Sequence, residues 1–112
     1  MACKVYGYLS DISGEAVESA AIVAELTIQQ VYNDGVTSKI ILPQSVSTTT
    51  DENGYWEIVL LDNEYMGGTA FYEFTITPSG GSAAVFGKYI PALDSDGDPI
   101  TEAEFSTLTD MG

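Results

Sequence analysis

Residues 47–60 read STTTDENGYWEIVL, and the reading of this stretch decides the fold. A Thr-rich approach meets Asp51-Glu52-Asn53-Gly54, and alternation follows, with Trp56, Ile58 and Leu60 on one face and Glu57 on the other. The acidic centre is either an ion loop or a tight turn. A calcium site needs about six to eight oxygens from a loop that folds around the ion. This loop is short, and segments with strand character flank it at once. Asn-Gly after acidic residues is a strong hairpin signal. The stretch is therefore read as a turn that sets the register of the Trp56 strand.

The same period of two recurs outward from there. Over 69 to 77, Ala70, Tyr72, Phe74 and Ile76 face one way, and Phe71, Glu73, Thr75 and Thr77 the other. Over 21 to 32, Ile22, Ala24, Leu26 and Ile28 alternate with Val23, Glu25, Thr27 and Gln29. Half-buried antiparallel strands carry this pattern. Residues 5 to 9, 36 to 42 and 83 to 90 are further strand candidates. Asp11-Ile12-Ser13-Gly14, Asn33-Asp34-Gly35, Met66-Gly67-Gly68 and Ser79-Gly80-Gly81 punctuate the runs with turn chemistry. Short strands so spaced predict an all-β, two-sheet antiparallel sandwich of about seven strands. Trp56, Ile58, Phe74 and Ile76 are expected between the sheets.

The end reads differently. After Pro91 comes LDSDGDPITEAEFSTLTDMG. Thr101 and Glu104 have capping-box spacing, and Phe105 and Leu108 have helical spacing. The expectation is a sandwich over 1 to 91, then over 92 to 112 an acidic linker with one short helix at 102 to 109. So short a helix has to pack on its own sandwich or on a neighbouring subunit.

Charge narrows the partners. The chain has 112 residues and a formal net charge of −14, so it repels nucleic-acid phosphates and anionic lipid. No nucleic-acid or membrane partner is expected; a solvated acidic face, or a basic or cation-mediated partner, fits such a charge. Cys3 stands alone, with no His and little positive charge to activate it, and is read as inert. The opening MACKVYGYLSD lacks the apolar stretch of a signal peptide, so synthesis in a cytoplasm is expected.

Catalytic chemistry has few parts here. The absence of His excludes Ser-His-Asp catalysis and the usual zinc sites. The three basic residues are Lys4, Lys39 and Lys88, so no Arg clamps a phosphoryl group. The chain is read as a non-enzyme with no cofactor. A Lys4 isopeptide bond lacks an Asn partner beyond Asn63. Asp94, Asp96 and Asp98 alternate like the start of a calcium loop, but Gly97 comes early, Pro99 interrupts and Phe105 stands where a Glu is needed. They are read as an acidic linker, with weak calcium or magnesium binding as the alternative. Tyr6 and Tyr8, opposite Val5 and Leu9, are interface candidates, as are Asn33, Asp34 and Gly35 on a hairpin over 29 to 42 that projects. Phe105 and Leu108 are candidate anchors of the C-terminal helix.

Together, VYGYLSDISGEAVESAAIVAEL and VSTTTDENGYWEIVLL resemble carboxypeptidase-regulatory-like, transthyretin-like sandwich domains. The first matches a G-x-x-x-D-x-x-G-x-x-V-x-x-A-x-V opening at Gly7, Asp11, Gly14, Val17, Ala20 or Ala21, and Val23. The second matches a T-D-x-x-G-x-[FW]-x-[LIV] hairpin at Thr50, Asp51, Gly54, Trp56 and Ile58, and YEFTITPSG is similar to a later family strand. The likeness covers about residues 4 to 91 and rests on turns and core rather than on chemistry. Such domains serve bacterial surface proteins, peptidases and tailed-phage virions, mostly as non-catalytic spacers, adhesion or decoration modules. The resemblance implies a phage virion protein, a head decoration, fibre or tail/connector-type subunit that contacts other virion proteins or itself. The alternative is a module recognising carbohydrate, with or without calcium.

Overall fold

Most of the segments that alternate apolar and polar residues are extended. In the computed structural model, which describes residues 2–26, 28–66 and 70–111, ten strands form. They are β1 Ala2–Tyr8, β2 Ala21–Leu26, β3 Gln30–Asn33, β4 Ser38–Ile41, β5 Gln44–Thr49, β6 Tyr55–Leu61, β7 Tyr72–Thr77, β8 Ala84–Tyr89, β9 Glu102–Glu104 and β10 Thr109–Asp110. The protein is all-β. A three-stranded sheet has the order β6-β1-β9, a five-stranded sheet β10-β8-β7-β2-β5, and β3 and β4 form a hairpin of their own. Every pairing is antiparallel except β1 with β9.

One core joins the two larger sheets. Cys3, Val5, Trp56, Ile58 and Leu60 come from β1 and β6; Ile22, Ala24, Leu26, Tyr72, Phe74 and Ile76 come from β2 and β7. All are buried, including the four residues expected between sheets. The registers explain the grouping. Val5 lies opposite Ile58, and Ile22 opposite Ile76, so each sheet presents a continuous apolar row. The Trp56 and Phe74 rings then meet with centroids 6.2 Å apart. Gly7 fits this packing closely, because a Cβ there would sit 3.1 Å from the Trp56 indole nitrogen, and the ring would have to give way slightly.

The structure corrects the sequence at the C-terminus. Residues 102 to 109 do not form the expected helix; they form β9, a single 3-10 turn Phe105–Thr107, and β10. The capping residue Thr101 instead lends its carbonyl to the Lys4 N–H at 2.9 Å. A few residues of isolated helix are marginal. The unpaired edges of β1 and β8 offer the same backbone groups ready partners, and β9 and β10 take them. Within the segment over 92 to 112, read from sequence as an acidic linker and short helix, β9 joins the three-stranded sheet and β10 the five-stranded one.

Two further differences are local. In the run expected over 21 to 32, β2 ends at Leu26, Thr27 lies outside the described residues, and β3 begins at Gln30 in a different sheet. β5 is a strand that alternation did not reveal, since five of its six residues are Gln, Ser or Thr. Of the Met66-Gly67-Gly68 turn, Gly67 and Gly68 lie outside the described residues, as does Thr69 of the strand expected over 69 to 77.

Candidate functional site

The acidic Gly loops are built by their own aspartates. In the Asp51 turn, Oδ1 accepts the Asn53 and Tyr55 N–H groups at 2.8 and 3.0 Å, while the Gly54 N–H donates to the Asp51 carbonyl at 3.0 Å. The Asp51 N–H donates to the Tyr55 carbonyl at 3.0 Å, closing the loop. Gly54 has φ +76°, and a Cβ there would lie 2.3 Å from the Leu9 carbonyl oxygen. This is the loop of residues 47–60, and its geometry is that of a turn.

The same bonds recur twice. Asp11 Oδ1 accepts from Ser13 and Glu15 at 2.9 and 3.0 Å. Asp94 Oδ1 accepts from Asp96 and Asp98, both at 2.9 Å. Each loop is D-x-x-G-x with a positive-φ Gly at the fourth place, namely Gly14, Gly54 or Gly97. Asp94, Asp96 and Asp98 therefore lie in one loop, but an oxygen of Asp94 is already engaged by backbone N–H groups. Among the described residues, no group of three or more His, Cys, Asp or Glu is placed to hold a metal ion.

Tyr6 and Tyr8 lie on the outer face of β1, as their alternation with Val5 requires. Tyr8 is 68% exposed and Tyr6 half-buried. Tyr55, opposite Tyr8 on β6, completes a row, with ring centroids 5.2 Å from Tyr8 and 6.3 Å from Tyr6. The Tyr55 hydroxyl donates to Glu57 at 3.0 Å. Lys4 pairs with Glu102 at 3.3 Å beside this row.

The β3–β4 hairpin is held at its base and bare at its outer face. Asn33 and Asp34 turn their side chains onto the tip backbone. Gly35 donates to Asn33 Oδ1, and Val36 and Thr37 donate to Asp34 Oδ1, each at 2.9 Å. These bonds from Thr37 and Val36 hold the Asp34 carboxyl below its ordinary range. Val31 faces Ile40 across the hairpin, and both are well exposed. On the inner face Tyr32 is buried, edge-on to Tyr65 at 6.0 Å, and donates its hydroxyl to Asp62 Oδ2 at 2.7 Å.

Asp62 and Asn63 were missed by sequence reasoning. Both are buried in a polar cluster behind β6. Asp62 Oδ1 accepts from Tyr65 at 3.2 Å, and Asn63 Oδ1 accepts from Ile90 at 2.8 Å. The Tyr72 hydroxyl donates to the Leu61 carbonyl at 2.7 Å. The signal was a polar Asp-Asn-Glu directly after an apolar strand end, which in a chain this acidic resembles any other loop. Cys3 is buried too, and that burial pushes its thiol pKa up.

Phe105 and Leu108 act within the chain's own core. Leu108 is buried. Phe105 sits edge-on to Phe74, Trp56 and Phe86 at 5.0, 5.4 and 5.7 Å, under the Lys88 ammonium at 4.9 Å. Lys88 also pairs with Asp110 at 2.5 Å. This segment closes one side of the core. The opposite side, between β5 and β6, is a cleft lined by Leu26, Ile41, Val46, Leu61 and Tyr72.

The tyrosine row and the outer hairpin face are among the places where apolar groups reach solvent. The sequence matches no protein-family model and no curated protein.

Proposed function

We propose that the chain is a non-enzymatic structural protein of a tailed-phage virion, a head decoration, fibre or tail/connector-type subunit. It would act through contacts with other virion proteins or with itself. The observation that carries this reading is apolar surface kept outside the core. Tyr8, Val31, Val36 and Ile40 are each more than half exposed. Clustered exposed apolar groups mark association surfaces, and the acidic remainder of the surface would form their rim.

The transthyretin-like sandwich is part of the same proposal. Two sheets sharing one core support it, and so do the motif glycines. Gly7 lies under Trp56, and Gly54 takes a positive φ against Leu9, so both carry packing roles of the kind the resemblance implies. The test is to purify particles of the phage that encodes the chain and quantify their proteins. Stoichiometric incorporation supports the reading; absence from the particles overturns it.

The row of Tyr6, Tyr55 and Tyr8 favours a second reading, a carbohydrate-recognising module. Aromatic faces stack on sugar rings, and Glu57 and Glu102 would accept hydroxyl protons beside them. Loss of glycan binding in Tyr8→Ala would support this reading, and a glycan array with no signal above background would remove it.

A further inference from the structure

Tyr6 stands at the centre of the outer face of the three-stranded sheet. It lies opposite Glu57 on β6 and opposite Glu104 on β9. Val5, its neighbour on β1, is buried opposite Ile58 and Ala103, so Tyr6 and both glutamates point away from the core. Adjacent strands are about 4.8 Å apart, which sets the two glutamate Cα atoms about 10 Å apart on either side of the ring. Tyr8 and Tyr55 pair in the next row, and the Tyr55 ring lies 6.3 Å from Tyr6. Three phenol rings and two carboxylates thus share one exposed patch.

Charge selects the occupant. Aromatic faces are electron-rich and attract cations, carboxylates do so more strongly, and the whole chain carries −14. Glu57 and Glu104 have no ion pair among the described residues; the Lys4 ammonium in the adjoining row is held by Glu102 at 3.3 Å. Each glutamate accepts one neutral hydrogen bond, from the Tyr55 hydroxyl at 3.0 Å and from the Ser106 hydroxyl respectively, and a carboxylate has capacity for more. A neutral sugar gains nothing from this charge. A second copy brings no Arg and only three Lys, of which Lys4 and Lys88 are already paired with Glu102 and Asp110. An arginine from another protein meets every feature at once. Its planar guanidinium stacks on a ring, donates to carboxylates from its edge, and is more weakly hydrated than an ammonium.

We propose that this face binds an arginine side chain from a basic segment of a different protein, with the guanidinium laid on Tyr6 and its N–H groups donating to Glu57 and Glu104. Tyr8 and Tyr55 extend the contact along the same face. The inference rests on the reading that the chain acts through protein contacts, and it names the partner's chemistry at one surface.

The experiment titrates a short Gly-Ser peptide carrying spaced Arg residues into the full chain, followed by backbone amide shifts, with Lys and Gln versions of the peptide as controls. The proposal expects the Arg peptide to bind, with shifts concentrated at Tyr6, Tyr8, Tyr55 and Glu57, the Lys peptide to bind more weakly, and the Gln peptide not to bind. Tyr6→Leu and Glu57→Gln should each weaken the Arg peptide by about threefold or more. Asp96→Asn removes the same charge as Glu57→Gln from a distant exposed loop, and it should change affinity by less than about 1.5-fold. Absence of binding, equal binding by the Lys or Gln peptide, shifts spread over the acidic surface, or an Asp96→Asn loss equal to that of Glu57→Gln would each overturn the proposal. Should Tyr6→Leu unfold by circular dichroism, Glu57→Gln and the wild-type shift map decide. Any of these failures leaves the protein-contact reading standing, since that reading falls only if the chain is absent from virions.

Discussion

The two sides of the core are finished differently. On one side β9 pairs with β1, β10 pairs with β8, and Phe105 enters a ring cluster with Trp56, Phe74 and Phe86. On the other side β5 and β6 end their sheets, and the cleft between them keeps Val46 partly in solvent. The first arrangement stabilises the monomer. The second leaves Val46 partly in solvent and the far edge of β5 without a strand partner among the described residues. The difference separates residues that hold the fold from residues that the monomer's core does not use.

The largest effect should come from the closed side. Phe105→Ala removes a ring from contact with three others, and its cost is about 2–3 kcal/mol, below that of a fully buried Phe because Phe105 is half-buried. Urea unfolding measures it. A loss under about 0.5 kcal/mol would mean that this segment is not part of the core.

Next is the hairpin anchor. Tyr32→Phe leaves Asp62 without its 2.7 Å donor, at a cost of about 1–2 kcal/mol in thermal or urea unfolding. Alkaline pH tests the same environment. Burial raises the pKa of Tyr32 and of Tyr72 above the ordinary 10.0, and the Asp62 hydrogen bond adds to the shift at Tyr32. The folded state thus favours neutral phenols. Stability from this source is complete below the ordinary tyrosine value and is lost as pH rises past it toward the raised values. Tyrosinate absorbance should show these two groups ionising only with unfolding; early ionisation of all seven tyrosines would contradict their burial.

The D-x-x-G-x loops come next. Asp51→Ala and Asp94→Ala each remove two accepted N–H bonds, and each should cost about 1 kcal/mol. If Asp94→Ala cost nothing in chelator but abolished a stabilisation by calcium, the loop would be an ion site instead of a turn. The smallest effect is expected on the open side. Val46→Ser should change monomer stability by less than about 0.5 kcal/mol, since no opposing side chains cover it.

Much of the fold was legible because one signal repeats. Trp56-x-Ile58-x-Leu60 and Tyr72-x-Phe74-x-Ile76 each alternate cleanly, and every one of those side chains is buried. The turns were legible because Asp and Gly are needed for the bonds that Asp11, Asp51 and Asp94 make. β5 was hidden because an exposed edge has no apolar face to alternate. The C-terminus misled because Thr101-x-x-Glu104 has the right local spacing for a cap, whereas the open edges of β1 and β8, distant in sequence, supply the stronger interaction. Of the candidate surfaces, Tyr6 and Tyr8 could be placed by parity with Val5. The buried Tyr32–Asp62 pair could not, since it joins residues thirty positions apart.

The most direct measurement is mass by light scattering across concentration, with calcium and with chelator. The proposed reading predicts one discrete oligomer in both buffers, because the contacts it proposes are made by apolar surface and not by a metal ion. A protein that is monomeric in chelator and assembles only with calcium would contradict it, and would move Asp94, Asp96 and Asp98 to the centre of the mechanism.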